Sequence, residues 1–98
     1  MTLTSKQRAY LSGQASTLNP IFHVGKASLS PEMIEGIAGA LEKRELIKIG
    51  VLKNCLDDPR QMAEVLAERT HSQVVQVIGR KIVLYREGKK EKKKIILP

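Results

Sequence analysis

The chain has 98 residues, 42% hydrophobic and 28% charged, with a net charge of +7 and a single cysteine. That length suits one domain with a modest core, and the composition excludes an intrinsically disordered chain. No apolar run reaches the roughly 18 residues of a membrane-spanning helix, residues 1–5 lead to no expected secretory signal, and a lone Cys55 excludes an internal disulfide and fits a cytoplasmic protein.

Thr4, with Gln7 three residues later, predicts a capping box that opens a first helix. Gly13 weakens that helix near its end, and Leu18-Asn19-Pro20 breaks it. Ile21-Phe22-His23-Val24 reads as a buried strand ending at Gly25. Ser30-Pro31-Glu32 combines an N-cap, a proline at the first helical position and an acid in the first turn. Met33, Ile34, Ile37, Ala38 and Leu41 then recur at helical spacing, so a second helix is predicted to end near Arg44. Residues 45–52 alternate, with Ile47, Ile49 and Val51 on one face, and predict a strand. Asp58-Pro59-Arg60-Gln61 predicts a capping box for a third helix, running through Met62, Val65, Leu66 and Arg69 to about Thr70. Residues 74–78 are rich in β-branched side chains, Gly79-Arg80-Lys81 is a tight turn, and residues 82–85 return as the second strand of a hairpin.

The predicted order is αβαβαββ: an α/β fold with one mixed four-stranded sheet and packed helices, in one domain over residues 1–98. Strand order across the sheet is left open by this reading.

The charge is segregated. Residues 27–85 hold eight basic and eight acidic side chains and are neutral. The excess comes from Lys6, Arg8 and Lys26, and from residues 86–94, which carry six positive and two negative charges. A polyanion would exploit that placement through counterion release. The plainer alternative is a solvated tail.

Gly25-Lys26-Ala27-Ser28 joins the first strand to the second helix. Ligands of α/β sheets favour the carboxyl ends of strands and the helix N-termini beside them. Unpaired N–H groups and the helix dipole favour an anion there. Gly25 permits close approach or positive φ, Lys26 adds a point charge, and Ser28 and Ser30 bring hydroxyls, Ser30 as the cap. A phosphodiester suits this place, and the spacing fits a plain strand–helix turn equally well. A nucleotide-binding P-loop is excluded, because Pro20 stands where it needs glycine and Ala27 where it needs Ser or Thr.

No catalytic constellation is visible. His23 and His71 lack partners at metal-ligand spacing, and His23 reads as structural. The pair Asp57 and Asp58 reads as helix capping before acid–base chemistry. The Met33, Ile34, Ile37 stripe faces the core. Tyr10, Phe22 and Tyr85 are the only aromatics, too few for a base-stacking platform, so RNA backbone and shape are expected to be read before bases. Tyr85 suits either one stacked base or the core. Neither cofactor, metal nor small-molecule substrate is expected.

Several segments, taken together, resemble the CRM domain family (chloroplast RNA splicing and ribosome maturation) in its free-standing bacterial YhbY-type form. Leu3-Thr4-Ser5-Lys6-Gln7-Arg8 looks like the family's first helix. Val24-Gly25-Lys26-Ala27-Ser28-Leu29-Ser30 sits where the family has its GxxG loop. Glu45-Leu46-Ile47-Lys48-Ile49 looks like its second strand. Val75-Gln76-Val77-Ile78-Gly79-Arg80-Lys81-Ile82-Val83-Leu84-Tyr85-Arg86 is the most specific match, and residues 95–98 are also similar. One departure is Ser28, at the place of the loop's second glycine, where a positive φ would be costly.

The resemblance implies an RNA-binding domain similar in fold to the C-terminal domain of bacterial translation initiation factor three. It implies, for a lone domain, a cytoplasmic, monomeric factor acting on structured ribosomal RNA in the precursor of the large subunit. The candidate RNA contacts are Gly25, Lys26, Ala27, Ser28, Lys6, Arg8, Arg80, Lys81, Arg86, Lys89 and Lys90. A protein-interaction adaptor with a basic tail and a general nucleic-acid-binding protein are the competing readings. An RNA-acting enzyme lacks its base–nucleophile pair.

Overall fold

The computed structural model describes residues 2–89 and 95–98. In chain order it contains α1 (Ser5–Ala15), β1 (Phe22–Val24), α2 (Pro31–Arg44), β2 (Leu46–Val51), α3 (Pro59–Thr70), β3 (Gln73–Ile78) and β4 (Lys81–Tyr85). This is the αβαβαββ order expected from the pattern of apolar residues.

Local chemistry sets most element boundaries. The capping box of α1 is formed: Gln7 N–H donates to Thr4 Oγ1 at 3.1 Å and Thr4 N–H donates to Gln7 Oε1 at 3.0 Å. Ser30 caps α2 by accepting from Met33 N–H at 3.1 Å, and Pro31 and Pro59 occupy first turns. The capping box expected at Asp58 is absent. Asp58 is the N-cap of α3, but its side chain makes no capping hydrogen bond. Proline at the first position already fixes φ there and removes one N–H that would need a partner, so the cap has less to do. Glu45, predicted as the first strand residue, is instead the C-cap of α2 with φ +65°.

The sheet order is β1-β2-β4-β3. β1 runs parallel to β2, with Val24 beside Val51. β4 is antiparallel to both β2 and β3, with Tyr85 beside Leu46 and Gln73, and a register shift falls between Val74 and Gln76. The α3 crossover therefore delivers β3 one strand beyond β2, and β4 folds back into the gap. Gly79, at φ +55°, makes that return turn.

Alternation along the strands gives the sheet two buried faces. On one, α2 and α3 cover Val24, Ile47, Ile49, Ile82 and Leu84, with Ile37, Leu41, Met62 and Leu66 packed above. Cys55 is buried in this core. On the other, α1 places Leu11 and Ala15 over Leu46, Val75, Val83 and Tyr85, and Ile95 and Leu97 join them. Each such aliphatic contributes about 1.5–3 kcal/mol through burial. No helix among the described residues is long and apolar enough to cross a membrane.

Candidate nucleic-acid interface

The loop between β1 and α2 closes as a tight turn, with Ser28 N–H donating to the Gly25 carbonyl at 2.9 Å. The left-handed residue is Ser28, at φ +59°, while Gly25 keeps a negative φ. A Cβ at Gly25 would meet Leu52 and Asn54 at ordinary contact distances of 3.5 and 3.6 Å. The conformational freedom expected of Gly25 is thus needed at the fourth loop position instead. Ser28 is held there because its hydroxyl donates to the Asp57 carboxylate. Lys26 and Ala27 stand exposed at the tip, and the Lys26 ammonium has no ion-pair partner among the described residues.

The neighbouring turn belongs to the β3–β4 hairpin. Val51 N–H donates to the Arg80 carbonyl at 2.7 Å, and Leu52 N–H to the Val24 carbonyl at 2.8 Å. The Arg80 guanidinium points into the loop after β2. It donates to Val51 O at 3.1 Å, Leu52 O at 2.8 Å and Cys55 O at 2.9 Å. Three main-chain acceptors make Arg80 a brace between two loops. Lys81, beside Gly50, stays exposed, as does Lys53, a cation at this rim that the sequence reading left out. Its position in the β2–α3 loop carried no motif to flag it.

The remaining candidates lie at the opposite end of the sheet. Arg86 follows Tyr85 and donates to Thr70 O at 3.3 Å. Arg8 donates to Val74 O at 2.6 Å, while Lys6 and Lys89 are exposed. Lys90 lies outside the described residues. The two ends are roughly 15–20 Å apart, the span of a six-residue strand.

The described residues on either side of residues 90–94 are held to the fold. Glu45, fully buried, accepts from Gly88 N–H at 2.6 Å and from Ile95 N–H at 2.8 Å. One carboxylate thus pins both flanks of residues 89–94, and Ile95 and Leu97 return to the core. Gln7 Nε2 also donates to the Pro98 carbonyl at 3.3 Å. Tyr85 belongs to that core, 1% exposed, which rules out the stacked-base role. Its hydroxyl has no hydrogen-bond partner among the described residues. Burial, then the charges of Glu45 and Glu87, push its pKa from 10.0 to about 12.

The candidate site is thus a basic rim of main-chain turns and lysines on the single mixed sheet of a small α/β protein. The family model of the CRS1 / YhbY (CRM) domain matches residues 3–86, and the chain belongs to that family. It is 52% identical over 96 residues to the "Probable RNA-binding protein YqeI" of Bacillus subtilis, covering 98% of this chain and 99% of that protein. It is 35% identical over 97 residues to an "RNA-binding protein" of Haemophilus influenzae, covering 99% and 96%. The solution structure of the hypothetical protein SAV1595 from Staphylococcus aureus superposes with a TM-score of 0.82 at 50% identity, covering 99% of this chain and 100% of that one.

Proposed function

We propose that this chain is a non-enzymatic RNA-binding factor that engages ribosomal RNA in the precursor of the large subunit, as a cytoplasmic monomer. The relatives' names and the family support RNA as the partner. In this reading residues 25–28 position one phosphate, and residues 86–94 add sequence-blind attraction across the other end of the sheet. The observation that carries it is the division of labour among cations. Arg8, Arg80 and Arg86 each donate to main-chain carbonyls. Lys26, Lys53 and Lys81 remain outward with no ion-pair partner among the described residues. Lysine is a point charge suited to phosphate, whereas the arginine fork is the usual bidentate reader of guanine. The surface therefore suits backbone contact more than base reading.

The test compares Lys26→Ala with Lys43→Ala, a control on α2, on one structured ribosomal RNA at one salt concentration. The loop variant is expected to lose at least about 1 kcal/mol of binding, roughly fivefold, with stability unchanged. Equal losses would reduce the loop to a turn. Crosslinking in cells, with sequencing of the attached RNA, checks the large-subunit assignment.

A further inference from the structure

The face of the sheet under α1 is covered over only part of its area. Beside the last turn of α1 a groove of about 480 Å³ opens between Gly13 on the helix side and Lys48, Gln76, Ile78, Lys81 and Val83 on the sheet. Register places these residues together. Lys48 lies beside Val83 and Lys81 beside Gly50, so the two lysines are diagonal neighbours on one face. Their Cα atoms are then about 7–8 Å apart, within reach of a shared anion. Neither lysine has an ion-pair partner among the described residues, and the Gln76 amide has no hydrogen-bond partner there. Ile78 is 61% exposed at the groove's outer wall, and Val83 forms its floor. Two adjacent like charges, a free amide and an apolar floor form a site for a ligand that is anionic at one end and flat and apolar at the other.

We propose that this groove is a subsite for an unpaired nucleotide of RNA, distinct from the loop at residues 25–28. A phosphodiester sits between Lys48 and Lys81, the base lies on Ile78 and Val83, and the Gln76 amide meets the base edge. The proposal rests on the RNA-binding reading. Charge complementarity selects a polyanion, and a groove of this volume admits a splayed-out base rather than a duplex. Lys81 also borders the hairpin turn near Lys26, so one strand of RNA can run from the loop into the groove.

Two variants of the full chain separate the possibilities. Gly13→Phe adds bulk at the groove's mouth without altering charge, and the position has open space around it. Lys48→Ala removes one cation. The probe is a single-stranded oligoribonucleotide carrying 4-thiouridine, set against a perfect RNA duplex. Each variant is expected to bind the single strand about tenfold more weakly, with duplex binding little changed. Lys48→Ala should also lower the salt slope by about 0.7, whereas Gly13→Phe should not. Photocrosslinks should fall on groove residues. If melting shows Gly13→Phe to be unfolded, Lys48→Ala with the crosslink map decides. Unchanged single-strand affinity in the folded variants, with Lys26→Ala still weakening binding, would overturn the subsite alone. A chain that binds no RNA would overturn the underlying reading too.

Discussion

The hydroxyl of Ser28 donates to the carboxylate of Asp57, tying the loop after β1 to the residue just before the N-cap of α3. The contact puts a negative charge against the loop proposed to receive a phosphate. Asp57→Asn keeps an acceptor for Ser28 and removes the charge. RNA affinity should rise roughly threefold to tenfold at low salt, since a unit charge a few ångströms away is worth about 1 kcal/mol in a largely aqueous setting. The gain should shrink as salt screens it. Titration at two salt concentrations checks both parts.

Ser28→Gly relieves the left-handed conformation but also frees Asp57. Folding stability should hold or improve slightly, since glycine takes positive φ without steric cost. Gly25→Ala should fold normally, because its Cβ would meet only ordinary contacts. Chemical denaturation of both variants tests this reassignment of the loop's conformational demand.

Arg80→Ala should lose about 2 kcal/mol of stability by stranding main-chain acceptors at the β2–α3 loop. Arg80→Lys should recover little of it, because an ammonium cannot reproduce the planar fork. Lys81→Ala should leave stability alone and weaken RNA binding. Parallel melts and binding curves would distinguish the brace from the contact. An Arg80→Ala variant of unchanged stability would return Arg80 to the set of free RNA ligands.

Glu45→Ala should cost about 2–3 kcal/mol, since two amides lose a charged acceptor. Alanine shares glutamate's cost at φ +65°, so the loss reports the carboxylate. Hydrogen exchange should accelerate at Gly88 and Ile95 before it does so in β2. RNA binding by residues 86–94 should weaken as well, because an untethered chain loses more freedom on binding.

The phenol of Tyr85 sets an alkaline limit. Its pKa is 10.0 when exposed and about 12 in the fold. The raised value means that the unfolded chain releases the proton first, so stability is intact below about pH 10 and falls as pH climbs towards 12. Tyr85→Phe should remove this part of the alkaline loss. Denaturant midpoints for both proteins between pH 8 and 11.5 provide the comparison, and parallel curves would refute the linkage.

Element order was readable because each helix start was marked by chemistry within four residues, as at Thr4 and Gln7 or Ser30 and Pro31. The alternation Ile47, Ile49, Val51 likewise announced one buried face of β2. Partners far apart in sequence were not readable. Arg80 looked like a surface cation because its acceptors are carbonyls 25–29 residues earlier. Glu45 looked like a strand residue because its partners, Gly88 and Ile95, lie beyond the last strand. Pairing of Ser28 with Asp57 spans 29 positions and follows no local pattern.

Because the last strand in sequence, β4, is seated between β2 and β3, the earlier strands alone cannot complete the sheet. A chain ending at Ile78 would hold β1 against β2 and leave β3 with no neighbour, uncovering the two strand edges, one on β2 and one on β3, that β4 pairs in the full sheet. During synthesis neither the β2–β4 nor the β3–β4 pairing can be completed until Tyr85 is available. Premature stop codons anywhere upstream of the hairpin should yield aggregation-prone fragments rather than a smaller working domain.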